Sequence, residues 1–146
     1  MMMKLSVLIL LLTGLLAGCG SADQIEVTVY KSPTCGCCKK WVSHLEENGF
    51  KVISHDVSDV NVIKDKYGVR HDLASCHTAM INGYVMEGHV PADDIKRFLT
   101  SPPPDVVGLT VPGMPMGSPG MEGSRKDDYN VYTFGKTGKT TIFASH

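Results

Sequence analysis

The sequence predicts an α/β domain of order β-α-β-α-β-β-α, extended by a loop and a further hairpin, and three observations carry that expectation. Residues 25–30, Ile-Glu-Val-Thr-Val-Tyr, alternate apolar and polar as a half-buried strand does. Residues 37–48 place Cys38, Trp41, Val42 and Leu45 at i, i+3, i+4 and i+7, one face of a helix. Asn82-Gly83 separates two short strand-like runs and is the strongest short-range hairpin signal in the chain. A helix between two strands argues that they run parallel, with the hairpin antiparallel beside them.

In order, the chain opens on Met1-Met2-Met3-Lys4, a short positive start, and an apolar run over 5–16 broken only by Ser6, Thr13 and Gly14. That run is too short for a mature membrane span and fits a secretory signal. It ends in Leu16-Ala17-Gly18-Cys19, which resembles the bacterial lipobox. The resemblance implies a lipoprotein-type signal peptide over 1–18, lipidation of Cys19, and a lipidated tether over 19–24. Two or more acyl chains anchor a protein firmly. Gly20, not Asp, follows Cys19, so the usual inner-membrane retention signal is not visible. The expected location is the periplasm, lipid-anchored at the outer membrane, an oxidising compartment where disulfides persist. The length bounds one domain of modest core. A formal charge of −1 without a basic patch argues against nucleic acid as a partner.

Pro33 interrupts the loop after the first strand, and Asn48-Gly49 closes the first helix, whose Lys39, Lys40, Glu46 and Glu47 face outward. A second strand is expected over 50–57. A short helix follows over 59–67, capped by Ser58 or Asp59 and stopped by Gly68. After a polar loop over 70–77, residues 78–81 and 84–87 form the hairpin, with Met80 and Met86 expected in the core. The helix over 91–100 has Pro91 at its first position, Asp93 and Asp94 in its first turn, and Lys96 and Arg97 toward its end. Ala92, Ile95, Phe98 and Leu99 form its inward stripe, and Pro102-Pro103-Pro104 ends it. With a cysteine motif between first strand and first helix, residues 25–101 resemble the thioredoxin fold. Residues 108–123 are rich in Gly, Pro and Met without a period. A second hairpin over 129–134 and 139–144 turns at Gly135-Lys136-Thr137-Gly138. Residues 102–146 are therefore read as a Met-rich loop and C-terminal hairpin packed on the same domain.

The chemistry gathers at Cys35-Gly36-Cys37-Cys38. A cysteine just ahead of a helix meets free amides and the positive end of the dipole, which favour the thiolate. Cys35 and Cys38 have the spacing of a redox dithiol or of a structural disulfide. Cys37 counts against both simple versions, because a third thiol invites scrambling and is easier to explain as a metal ligand. In a thioredoxin-like order the loop before the third strand faces the cysteine motif. That place holds Ser75-Cys76-His77-Thr78, which would bring a fourth thiol and an imidazole against the other three. Met114, Met116 and Met121 lie on a Pro/Gly backbone with no helical stripe to bury them. Thiolate with thioether selects Cu(I), and imidazole suits copper too. Zinc would accept four thiols but leaves the methionines unexplained. His89 is a further candidate at a turn; His44 reads as surface, His55 and His71 have no assigned role, and His146 reads as a loose end.

Four stretches together carry a specific resemblance: residues 30–41, 75–78, 83–91 and 111–122. They resemble the CopG-type family of exported copper-resistance proteins over nearly all of the chain after the signal. The resemblance implies a thioredoxin-like domain that binds copper through the CxCC thiols, in a multinuclear Cu(I) cluster, and that interconverts Cu(I) and Cu(II). It implies ligand roles for Cys35, Cys37, Cys38 and Cys76, and then for Met114, Met116, Met121, His77 and His89. Implied partners are copper ions and copper-efflux or other periplasmic copper proteins; the membrane is a further expected partner through the lipid anchor, which is read from the lipobox-like stretch of this sequence and not from the family. Two other readings stay open: a thiol–disulfide oxidoreductase with Cys35 as nucleophile and Cys38 as resolving thiol, and a metallochaperone that hands copper on.

Overall fold

The computed structural model describes residues 24–146; the expected signal, Cys19 and the tether before Gln24 lie outside the described residues. The elements are β1 (Glu26–Lys31), α1 (Gly36–Glu47), β2 (Lys51–Asp56), α2 (Val60–Lys66), a single 3-10 turn (His71–Leu73), β3 (His77–Ile81), β4 (Tyr84–Glu87), α3 (Ala92–Thr100), β5 (Val106–Thr110), β6 (Asn130–Gly135) and β7 (Thr140–Ser145). They form a mixed α/β fold on one seven-stranded sheet, in the order β2-β1-β3-β4-β5-β6-β7. The β1–β2 pair is parallel through α1, and β3–β4 is an antiparallel hairpin, as the pattern of the sequence predicts. Asn82 and Gly83 both take positive φ, 49° and 84°, the backbone a two-residue hairpin turn requires.

The reading of residues 102–146 as a Met-rich loop and a hairpin did not include β5. Val106–Thr110 pairs parallel with β4 and antiparallel with β6, so the C-terminal hairpin continues the same sheet. The strand was hidden because it lies between a triple proline and Pro112-Gly113, and because Gly108 breaks its alternation. A Cβ at Gly108 would lie 1.8 Å from the Val85 carbonyl oxygen, so only glycine lets β5 approach β4 there.

The main core lies between the sheet and α1 and α3. Val27, Val29, Trp41, Leu45, Ala79, Ile81, Met86, Ile95, Phe98 and Leu109 are all fully buried in it. A smaller cluster, Val69, Leu73, Val85 and Phe134, with Met80 packed against it, covers the opposite face. Trp41 Nε1 donates to the Val90 carbonyl at 2.9 Å, tying α1 to the turn before α3. Burying an indole of this size is worth several kcal/mol.

Three smaller expectations are corrected. His44 is not a bare surface residue: its Nε2 accepts from the Ala92 amide at 3.1 Å, capping α3 where Pro91 has no side-chain oxygen to do so. Pro91 is the residue before α3 and not its first helical position. His146 is not a loose end, because its Nε2 lies 2.7 Å from Asp94 Oδ2 and its ring stacks on Tyr129. That contact helps to cover Asp94, which is buried.

Candidate metal centre

The centre is built where three loops meet the N-terminus of α1. Cys35 is the N-cap residue, its sulfur accepting from the Cys38 amide at 3.3 Å, so the motif is wound directly onto the first turn. Cys38 begins the buried stripe and is fully enclosed, as the helical spacing predicts. Cys35 and Cys38 are disulfide-bonded, leaving Cys37 and Cys76 as free thiols. The argument from Cys37 against a simple pair therefore does not hold for this structure. C-x-x-C across a helix start brings the two Cα atoms to 5.3 Å, a span a disulfide accepts readily.

The loop ahead of β3 does face the motif. Cys37 Sγ lies 3.5 Å from Cys35 Sγ and 3.9 Å from Cys76 Sγ, and Cys38 Sγ lies 3.8 Å from the Cys76 carbonyl oxygen. All four sulfurs fall within 4.8 Å of one another. Cys76 is met from its other side by two imidazoles, His89 Nε2 at 3.0 Å and His77 Nδ1 at 3.2 Å. These three residues form a second group of ligand atoms of the same tightness, sharing Cys76 with the first.

His89 is fully buried, and its Nδ1 lies 2.7 Å from the Pro119 carbonyl oxygen. A carbonyl can only accept, so Nδ1 carries the proton and Nε2 presents a bare lone pair to Cys76. Fixing the tautomer in this way is the usual second-shell device at imidazole metal ligands. Desolvation holds His89 below its ordinary range, against the opposing pull of the Pro119 carbonyl and Glu122. His77 lies under Trp41, ring centroids 4.4 Å apart, and burial holds its pKa well below the ordinary value, with His89 and Lys64 adding to it. Its Nε2 is the one buried side-chain nitrogen or oxygen among the described residues that lacks a hydrogen-bond partner. Burial, followed by repulsion from Cys37, pushes the Cys76 thiol up to about 12. In the metal-free protein Cys76 is thus a neutral thiol between two neutral imidazoles.

The Met loop reaches the same place. Residues Met116, Gly120, Met121 and Glu122 line a pocket of about 330 Å³ with Gly36, Cys37 and Lys40. Met114 is not among its walls and is half exposed, at 52%. Gly120 takes φ +88°, and a Cβ there would lie 2.7 Å from the Cys37 carbonyl oxygen and 2.9 Å from the Trp41 amide. The loop backbone therefore rests directly on the first turn of α1. Of the nine expected ligands, eight gather at this point and Met114 stands off. Glu122, which lines the pocket and accepts from the Gly120 amide at 2.8 Å, was not singled out by sequence reasoning. Nothing in its local pattern distinguishes it from a solvated loop carboxylate. His55 stacks on Tyr30 and His71 lies in the 3-10 turn, both exposed and away from the thiols.

Comparison with known proteins agrees with this geometry. A family described as "Protein of unknown function, DUF411" matches residues 73–121, the segment that runs from the Cys76 loop through the Met loop. No curated protein matches the chain. Two solved structures do: "Copper resistance protein copG- Form 2", 44% identical, covers 85% of this chain and 99% of its own with a TM-score of 0.80. "Copper resistance protein copG- Form 1", also 44% identical, covers 85% of this chain and 98% of its own with a TM-score of 0.79. At that identity over that much of both chains, the protein belongs to the CopG family of copper-resistance proteins.

Proposed function

We propose that the protein binds copper in the service of copper resistance, holding it with Cys35, Cys37, Cys38 and Cys76, with His89 and His77, and with Met116 and Met121 at the mouth. The observation that carries this reading is the convergence of four sulfurs within 4.8 Å of one another on a cysteine that also faces two imidazole nitrogens. The donor set fits a soft cation: thiolate, thioether and imidazole suit Cu(I), and imidazole also accepts Cu(II). The bare Nε2 of His89 and the Cys76 thiol present a ready pair of donors once the thiol gives up its proton. Reduction of the Cys35–Cys38 bond by an external dithiol, which supplies two electrons and two protons and leaves as a disulfide, frees two thiols; with Cys37 and Cys76 they make four, enough for bridging thiolates to hold more than one Cu(I). This mixed donor set would accept copper in either oxidation state, so bound Cu(I) could pass one electron to an external one-electron acceptor and remain held as Cu(II). The lipobox-like stretch ending at Cys19 supports a lipid-anchored periplasmic setting, with copper-efflux or other periplasmic copper proteins as exchange partners.

The test is metal content after expression in copper, with Cys76→Ser alongside. More than one copper per chain, lost or reduced in the variant, is the expected result. Metal-free protein under those conditions overturns the reading. A second reading, thiol–disulfide exchange, is favoured by one observation: the Cys35–Cys38 disulfide sits at a helix N-terminus with the Cys37 thiol 3.5 Å from Cys35. It predicts disulfide-reductase activity in the absence of any metal, which the copper reading does not.

A further inference from the structure

Cys76 precedes β3, and no ladder holds its backbone. What holds the loop is a set of polar contacts converging on one buried carboxylate. Glu87, the last residue of β4, is fully buried, and three donors occupy its two oxygens. Lys64 Nζ donates to Oε1 at 2.5 Å, the Ser75 amide donates to the same Oε1 at 2.7 Å, and Thr78 Oγ1 donates to Oε2 at 2.6 Å. Lys64, on α2, is itself only 4% exposed and also lies 3.1 Å from Thr78 Oγ1. Thr78 and Glu87 are cross-strand partners, which explains why they meet. The Ser75 amide is not part of the sheet; it belongs to the residue directly before Cys76.

We propose that Glu87, neutralised by Lys64, is a positioning residue that fixes Cys76 in the metal centre by holding the Ser75 amide. A buried ion pair adds little to stability compared with apolar residues of the same size, so stability alone is a poor account of it. The rest of the loop is clamped in the same sense. Thr110 Oγ1 donates to the Leu73 carbonyl at 2.7 Å, the Gly113 amide donates to the Ala74 carbonyl at 3.1 Å, and Ser75 Oγ donates to the Gly113 carbonyl. Gly88, next to Glu87, has φ +73°, and a Cβ there would lie 2.5 Å from Ser75 Cβ; the loop is seated against the β4 end with no room to shift. Glu87 thereby sets the reach of Cys76 Sγ to Cys37 and His89 without touching a ligand atom. This inference rests on the copper reading for its consequence and on the loop geometry for its substance.

The experiment compares two double variants. Lys64→Met with Glu87→Gln removes both charges but keeps a carbonyl oxygen for the Ser75 amide. Lys64→Met with Glu87→Met removes that acceptor as well. Cu(I) affinity is measured on the full chain by competition with a chromophoric chelator, alongside circular dichroism and thermal unfolding. The Gln pair should bind as the unsubstituted protein does, and the Met pair about 10–100-fold more weakly, the usual effect of losing an outer-sphere partner. Equal affinity of the two variants overturns the proposal. Independently of copper, Cys76 is the sole free thiol among the described residues in a Cys37→Ser background with the disulfide intact, and its alkylation, read at the Cys76 peptide so that Cys19 does not contribute, should be faster with the Met pair than with the Gln pair. Equal alkylation overturns the positioning role, whereas failure of the unsubstituted protein to bind copper overturns the copper reading and leaves this comparison intact. If the Met pair does not fold, the unsubstituted protein decides: its Ser75 amide must exchange slowly with solvent, and fast exchange there overturns the proposal.

Discussion

Replacing Gly120 by Ala tests whether the Met loop must lie on α1 for the centre to work. Gly120 has φ +88°, where an L side chain costs about 1–2 kcal/mol. The added Cβ would lie 2.7 Å from the Cys37 carbonyl oxygen and 2.9 Å from the Trp41 amide, both helix backbone that cannot give way. The loop must rise instead, and the Pro119 carbonyl leaves His89 Nδ1, a loss of about 0.5–1.5 kcal/mol. Together these come to ~1.5–3.5 kcal/mol, below the 5–15 kcal/mol that keeps a domain folded. The variant should therefore stay folded with its loop displaced. Urea unfolding should show no more than ~3.5 kcal/mol lost, while Cu(I) affinity, measured by chelator competition, should fall about 10–100-fold because His89 loses the partner that sets its tautomer. Unchanged affinity in a folded variant would refute the argument that this loop contact prepares the site.

Further outcomes follow from the same geometry. Met116→Leu with Met121→Leu should weaken Cu(I) binding while Met114→Leu leaves it unaltered, because only the first two line the pocket beside Cys37; equal effects in the same competition assay would count against this division. His77 and His89 have folded pKa values below the ordinary histidine value, chiefly through burial, so the unfolded chain binds more protons than the folded one once pH drops below about 6.5. Stability is thus complete above that pH and falls as pH decreases through it, by up to about 1.4 kcal/mol per pH unit for each histidine; urea unfolding between pH 7.5 and 5 reads the slope, and His77→Phe should flatten it. Because burial pushes the Cys76 thiol up to about 12, copper uptake must displace a proton there. Apparent affinity should then rise with pH across the neutral range in the unsubstituted protein, and less steeply in Cys76→Ser.

Where one element decides the pattern, the sequence was sufficient. Trp41 and Leu45 sit on the buried stripe at the helical spacing, Asn82-Gly83 turns the hairpin, and Asp59 caps α2 by accepting from the Asn61 amide. The facing of Cys76 to the cysteine motif was legible through the resemblance to the thioredoxin fold, in which the loop before the third strand faces that motif. β5 was not legible, since its pairing with β4 depends on a residue's lack of a side chain and not on any side chain's character. The buried pair Lys64–Glu87 was equally hidden, because charged residues on a short helix and at a strand end read as solvated until the loop that covers them is known. His146 and His44 acquired partners only through contacts with Asp94 and Ala92, 52 and 48 residues away.

The separation of the ligand-bearing segments has a consequence for how the protein must be handled. Cys35, Cys37 and Cys38 are neighbours in any conformation, even in an unfolded polypeptide, whereas Cys76, His89 and Met121 arrive only once β3, β4 and β5 have closed the sheet. Copper supplied during refolding of the reduced chain would therefore meet a competent three-thiol trap before the complete site exists, and cation captured there would have to be rearranged, or would hold α1 back from its place. Apoprotein folded first and loaded afterwards should yield one homogeneous species, and refolding in excess copper a mixture.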